Sequence, residues 1–217
     1  MNVEQARFNM IEQQIRPWDV LDDGILSLLA IVKREDFLPL AYRALAFVDA
    51  EVPLPEGQCM LAPRVEARLL QEMQVHRHET VLEIGAGSGF MAALLSHRAR
   101  SVLSLELRPA LAKMAADNLK RAAVSNVTVR VGDGAQPLPA DTSFDAIVLS
   151  GSVAAVPPAL LEALLPGGRL LAIVGQEPVM TAVRITRGAD HTFRTETLFD
   201  TVAQRLDGFA QPGQFRF

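Results

Sequence analysis

From about residue 79 onward, short apolar runs alternate with helical ones: TVLEI then FMAALLSHRA, SVLSLEL then PALAKMAADNLKRAA, VTVRVGD, FDAIVLS then PPALLEALL, and RLLAIVG. Strands of four to seven residues that are apolar throughout have no solvated face, so they belong to a parallel sheet covered on both sides. Strands alternating with helices in this way predict a doubly wound α/β sheet with right-handed crossovers. After Pro178, VMTAVRITRG and TFRTETLFDTV read as two further strands separated by Gly188-Ala189-Asp190. They predict an antiparallel hairpin at the sheet's edge.

Upstream, residues 1–50 read as helical. Ile25, Leu28, Leu29 and Val32 form an i, i+3, i+4, i+7 stripe, and Asp22 and Asp23 stand where a cap belongs. Pro17, Pro39, Pro53 and Pro55 break the segment into short helices and a loop. There are no repeats, low-complexity tracts or long linkers. One domain over 1–217 is therefore expected, with a helical N-terminal cap and substrate loop over 1–78 and the α/β core over 79–217.

The first core strand runs into Glu83-Ile84-Gly85-Ala86-Gly87-Ser88-Gly89 and then a helix. Glycines at such a bend let the backbone turn sharply and approach a ligand closely. Glu106 closes the second strand, 21 residues after Gly85, and Leu107 follows it. A carboxylate there can accept hydrogen bonds from both hydroxyls of a ribose. Asp133 and Gly134 end the third strand, where an acid can take an adenine amino hydrogen. Ser150 and Gly151 end the fourth, and Leu165-Pro166-Gly167-Gly168-Arg169 makes a turn before the fifth. In open α/β sheets these strand ends converge on the ligand crevice.

Two cofactors compete for this site. NAD favours G-x-G-x-x-G, with its pyrophosphate on the helix N-terminus. Here the run is G-x-G-x-G with Glu83 two residues before it, and a buried acid repels a pyrophosphate. S-adenosylmethionine carries a sulfonium and an ammonium and no phosphate, so an acid suits it. The sequence therefore favours S-adenosylmethionine, with Glu83, Gly85, Ala86, Gly87, Ser88, Gly89, Glu106, Leu107, Asp133, Gly134 and Ser150 around it.

A formal net charge of −4 gives no expectation of non-specific nucleic-acid binding. A single cysteine excludes an internal disulfide and a cysteine-based zinc cluster. His76 and His78 lack the further ligands that a zinc site needs, so no metal is expected. The opening MNVEQARFNM has neither a basic n-region nor an apolar h-region, and no apolar run reaches the ~18 residues of a membrane helix. A cytoplasmic protein with no membrane partner is expected.

These elements in this order resemble the class I S-adenosylmethionine-dependent methyltransferases, whose fold is a Rossmann-like sheet. Lys33-Arg34-Glu35-Asp36-Phe37-Leu38-Pro39, Ala46-Phe47-Val48-Asp49, Leu54-Pro55, Gly57-Gln58, Gly132-Asp133-Gly134 and the Leu-Pro-Gly-Gly-Arg run are similar to motifs of the protein-L-isoaspartate O-methyltransferases. The resemblance spans about residues 20–175, and LFDTVAQRLDGFAQPGQFRF matches the family's last strand only loosely. It implies methylation of the carboxylate of isoaspartyl residues in damaged protein or peptide. The family's loop usually reads Gly-Gln-Thr-Ile-Ser-x-Pro-His/Tyr. Aligned on Gly57, Gln58 and Pro63, the threonine becomes Cys59, the isoleucine Met60, the serine Leu61 and the histidine or tyrosine Arg64. The resemblance places Leu61 and Arg64 against the acceptor and Cys59 and Met60 against the cofactor. The serine is the usual carboxylate contact, so its replacement implies weakened or altered activity. A small-molecule acceptor and a cofactor-binding module without turnover stay open as alternatives.

Each candidate has a plainer reading. Cys59 is a nucleophile or methyl acceptor, or an inert buried thiol. Arg64 contacts substrate or is a solvated first-turn residue. Glu83 meets the ligand or caps the amides of the glycine bend. Glu106 grips a ribose or forms an exposed salt bridge, and Asp133 meets adenine or belongs to a common Gly-Asp-Gly turn. Asp145 is expected to support the fourth strand. Arg7, Arg16 and Trp18 touch a partner or lie on a loosely docked helix.

Overall fold

The computed structural model describes residues 2–139 and 142–211; the end of the C-terminal stretch, 212–217, lies outside them. The cap holds α1 (Val3–Met10), a π-helical turn (Ile11–Ile15) and a 3-10 turn (Arg16–Trp18). Then come α2 (Asp23–Ile31) and 3-10 turns at Arg34–Phe37 and Leu40–Phe47. Asp22 caps α2 by accepting the Ile25 N–H at 2.9 Å. The stripe of Ile25, Leu28, Leu29 and Val32 is buried as its spacing predicts. Pro17 sits in the 3-10 turn that ends the first helical segment, and Asp19 then turns back at φ +57°.

The cap is firmly docked, which corrects the loosely docked reading of its first helix. Arg7 is buried and pairs with Glu4 and Glu35. Gln71 accepts the N–H groups of Leu21 and Asp22 at 2.8 and 3.1 Å and donates to Asp19 O at 2.9 Å. Met10, Ile15, Leu29 and Phe37 join Val81, Phe90 and Leu94 of the core in one apolar cluster.

After the cap, β1 (Val52–Pro53) pairs antiparallel with β2 (Cys59–Met60), and α3 (Pro63–Met73) follows. The core then alternates as expected: β3 (Thr80–Ile84), α4 (Phe90–Ser96), β4 (Ser101–Glu106), α5 (Pro109–Arg121), β5 (Val127–Val131), β6 (Phe144–Val153), α6 (Pro158–Glu162), β7 (Leu164–Gln176), β8 (Val179–Arg187) and β9 (Phe193–Asp200). The sheet order is β5-β4-β3-β6-β7-β8-β9. The first five of these strands are parallel, and β8 lies antiparallel between β7 and β9. The predicted edge hairpin is present, closed by Gly188 N–H on Thr192 O at 2.7 Å. Strand order reverses about β3, so the crevice opens beyond β3, β4 and β6.

Three details depart from the sequence reading. β5 is an edge strand, half-exposed or exposed along its length rather than covered on both faces. The Leu-Pro-Gly-Gly-Arg turn is drawn into β7 as a bulge: Leu164 pairs with Phe144 and Arg169 with Ala146, so the residues between loop out. α6 accordingly stops at Glu162, because Ala163 O already accepts the Phe144 N–H at 2.9 Å. β6 also runs past Ser150 to Val153 through a second irregularity. Asp145 supports this strand's start by accepting the N–H and Oγ1–H of Thr80 at 2.7 and 2.9 Å.

Candidate functional site

β3 delivers Gly85, Gly87 and Gly89 at φ +91°, +51° and +84°, a region that disfavours side chains. Gly89 also lets α5 approach, since a Cβ there would lie 3.1 Å from Ala115 Cα. This bend, the end of β4 and the C-terminal part of β6 enclose a crevice lined by Ile84, Gly85, Gly87, Glu106, Leu107 and Ser150 among others. A smaller recess continues inward along Met60, Leu61, Ala86 and Ser88.

Glu106 is buried at the mouth of the bend. Its Oε2 accepts the Gly87 N–H at 2.9 Å and its Oε1 the Arg108 N–H at 3.0 Å. The exposed-salt-bridge reading of Glu106 is thereby corrected. The carboxylate capping the bend is Glu106, and the capping role considered for Glu83 does not occur. Glu83 instead accepts the hydroxyls of Ser104 and Ser150 at 2.5 and 3.0 Å. Complete burial, opposed by those hydroxyls and reinforced by the Glu106 charge, pushes its pKa up to about 7.

Asp133 turns its carboxylate onto its own loop, accepting Ala135 N–H at 2.9 Å and Gln136 Nε2–H at 3.2 Å. Gly132 and Gly134 line the crevice beside it, and a Cβ on Gly134 would meet Ile84 at 2.3 Å. Ser88 hands its carbonyl to Asn118 Nδ2 at 2.8 Å, and the same amide donates to Phe37 O of the cap at 3.0 Å.

On the opposite wall stands the loop 57–64. Cys59 lines both spaces, but burial, followed by the nearby Glu51, drives its thiol well above the ordinary range. It stays protonated and is no nucleophile. Met60 and Leu61 are buried and face the recess. Arg64 stands half-buried in the first turn of α3, where it pairs with Asp49 and lies over the Trp18 ring, 4.5 Å from its centroid. Trp18 in turn meets the edge of Phe199 at 5.7 Å, and Arg16 pairs with Glu12.

Two groups of residues at the site escaped the sequence reading. Arg34 is buried under the loop, where it pairs with Glu66 and donates to Leu61 O at 2.6 Å and Ala46 O at 3.1 Å. Burial lowers its pKa to about 9, so it remains charged at neutral pH. Glu66, an acid among the apolar positions Val65, Ala67, Leu69 and Leu70 of PRVEARLLQEM, was the available signal. The second group is the C-terminal segment. Leu206 and Arg205 hang on β6 through Ser152, and Leu206, Asp207 and Phe209 roof the crevice. Arg108 holds Asp207 in an ion pair. No local pattern marks this segment, because its place depends on the path of the whole chain.

The donor set fits an adenosyl sulfonium. It offers a strand-end carboxylate, a second buried acid, a glycine bend and no cationic side chain on the bend for a phosphate. His76 and His78 stack on each other with ring centroids 5.8 Å apart, away from the crevice.

A family model for protein-L-isoaspartate(D-aspartate) O-methyltransferases matches residues 5–203. A protein-L-isoaspartate O-methyltransferase of Roseiflexus castenholzii is 40% identical over 200 residues, covering 92% of this chain and 91% of its own. One of Methanoculleus marisnigri is 36% identical, covering 84% and 83%. Among solved structures, a Plasmodium falciparum protein assigned as a protein-L-isoaspartate O-methyltransferase, in complex with S-adenosyl-L-homocysteine, superposes with a TM-score of 0.77. It is 19% identical and covers 93% of this chain and 98% of that one, which is a likeness of fold.

Proposed function

The chain belongs to the protein-L-isoaspartate(D-aspartate) O-methyltransferase family, and on that premise we propose that it transfers the methyl group of S-adenosylmethionine to isoaspartyl carboxylates of damaged protein, at a reduced rate. The observation that carries this reading is Glu106, a buried strand-end carboxylate beside the glycine bend. S-adenosylmethionine supplies, when bound, a methyl group made electrophilic by its sulfonium. Glu106 would hold the ribose, and Gly85 to Gly89 would let the backbone approach it. Glu83 would add negative charge beneath the sulfonium. Asp133 and Gly134 would border the adenine.

A carboxylate acceptor has a pKa of about 4 and is ionised at neutral pH, so it needs no general base. What the protein contributes is placement of the acceptor oxygen in line with the bond that breaks. A serine hydroxyl at position 61 would orient that oxygen; Leu61 offers only an apolar wall. Its carbonyl is already taken by Arg34. Losing a hydrogen bond to a charged group, about 1.5–3 kcal/mol, slows such a step ~10- to 100-fold without abolishing it. Arg64 stands beside the loop and would orient the acceptor only by exchanging Asp49 for it. Incubating the purified protein with an isoaspartyl peptide and methyl-labelled cofactor should give a base-labile ester. No ester at high enzyme concentration would overturn the reading.

A second reading has its own support. The acceptor side is apolar at Met60 and Leu61, and Arg64 is occupied. These features suit a smaller acceptor with an apolar body. Labelled-methyl transfer to a small-molecule extract, with none to aged protein, would favour it. We place the protein in the cytoplasm, acting on protein substrates and not on nucleic acid; among the described residues no helix is long and apolar enough to cross a membrane.

A further inference from the structure

One acid beside the glycine bend is still without a role. Glu66, in the first turn of α3, is 4% exposed and lines the inner recess together with Gly85, Ser88 and Met91. Cys59, Gly85, Gly87 and Ser150 wall both the recess and the crevice, so the two spaces meet. Arg34 pairs with Glu66 through Oε2, while Oε1 accepts no hydrogen bond among the described residues. A buried carboxylate is costly unless its lone pairs are met. Arg34 meets one oxygen and directs its remaining donors to Ala46 O and Leu61 O.

Glu83 does not substitute for Glu66. It has no exposed surface, and both its oxygens accept serine hydroxyls. The acid that presents an unpartnered oxygen to the space beyond the bend is Glu66. Its counterpart is a compact cation with several donors, at the far end of a ligand whose other end lies against Glu106. A primary ammonium has this chemistry.

Resting on S-adenosylmethionine as the cofactor, we propose that Glu66 Oε1 receives the α-ammonium at the amino-acid end of that ligand, with Arg34 as a positioning residue that holds the carboxylate from behind. The same Arg34 fixes Leu61 O, so one guanidinium sets both the ammonium site and the backbone of the acceptor loop.

The test compares two ligands by calorimetry. S-adenosylhomocysteine carries the amino-acid end; 5′-methylthioadenosine keeps the adenosine and the thioether and lacks it. Glu66→Gln should weaken S-adenosylhomocysteine about ten- to a hundredfold and leave methylthioadenosine within about twofold. Glu66→Asp keeps the charge but withdraws the oxygen, and should show the same ligand-selective loss if the glutamine variant does not fold. Unchanged S-adenosylhomocysteine affinity overturns the proposal. So does an equal loss of both ligands, which would give Glu66 a purely architectural part. Failure of the wild-type protein to bind either ligand would sink the cofactor reading itself, and this proposal with it.

Discussion

The glycine bend and the loop at 57–64 face each other across one crevice, yet they are held in different ways. The bend is tied by Glu106 on Gly87 N–H and Asn118 on Ser88 O, and Gly85, Gly87 and Gly89 sit at positive φ values that disfavour any side chain. The loop is tied likewise, by Arg34 on Leu61 O and by Gln204 on Gly57 O at 2.8 Å, but Cys59 to Arg64 hold no positive φ. A side chain can therefore change in the loop without disturbing the ties that shape it. In the bend, a side chain strains the backbone or removes a tie. On the proposed reading, this difference lets the bend keep its cofactor contacts while the facing loop carries Leu61 in place of a hydroxyl.

A bend that tolerated substitution would be held no differently from the loop. Glu106→Ala should weaken S-adenosylhomocysteine at least ~100-fold, since two charge-assisted hydrogen bonds are lost and the Gly87 amide is left unpaired. Unchanged affinity in a titration calorimeter would remove Glu106 from the site. The loop side should respond in the opposite sense. Leu61→Ser should raise kcat/KM on an isoaspartyl peptide ~10-fold or more. It should also lower the melting temperature, because a buried leucine is lost and a hydroxyl takes its place. A variant that is less stable and no faster would show that the serine position is not what limits this protein.

Glu83 sharpens the contrast through pH. In the folded chain it keeps its proton up to about pH 7, against an ordinary value of 4.5. The folded state therefore holds an extra proton between those values, and stability falls as pH rises through that window, by on the order of 3 kcal/mol. Ligand binding should run the other way. Ionised Glu83 favours a sulfonium, so affinity for S-adenosylmethionine relative to S-adenosylhomocysteine should rise several-fold from pH 6 to 8, and Glu83→Gln should flatten the ratio. The smallest effect belongs to the roof. Arg108→Ala releases Asp207, and an exposed ion pair contributes little. S-adenosylhomocysteine dissociation in stopped flow should quicken about two- to fivefold.

The parallel sheet was legible because its strands are short, apolar and evenly separated by helices, and the bend and Glu106 were legible because their spacing is local. Leu164 could not be read as strand, since its pairing with Phe144 depends on a bulge that no run of four residues announces. β5 reads as a covered strand, and only its place at the sheet's edge exposes it. Glu66 and Arg34 lie 32 residues apart in sequence and meet only once the cap has folded onto α3. The roof at 205–209 is later still: its ties run to Ser152 and Gly175 and to Arg108, all remote in sequence.

The Asn118 amide touches the cap at Phe37 O and the bend at Ser88 O with one nitrogen. Two surfaces that share a donor are thermodynamically linked, and linkage is reciprocal. Where the Phe37 contact steadies Asn118 for Ser88, prying the first fifty residues away from α5 lowers affinity for the adenosyl ligand, and that ligand clamps the same residues down by an equal factor. Proteolytic clipping of the amino-terminal region would then slow as the ligand is titrated in.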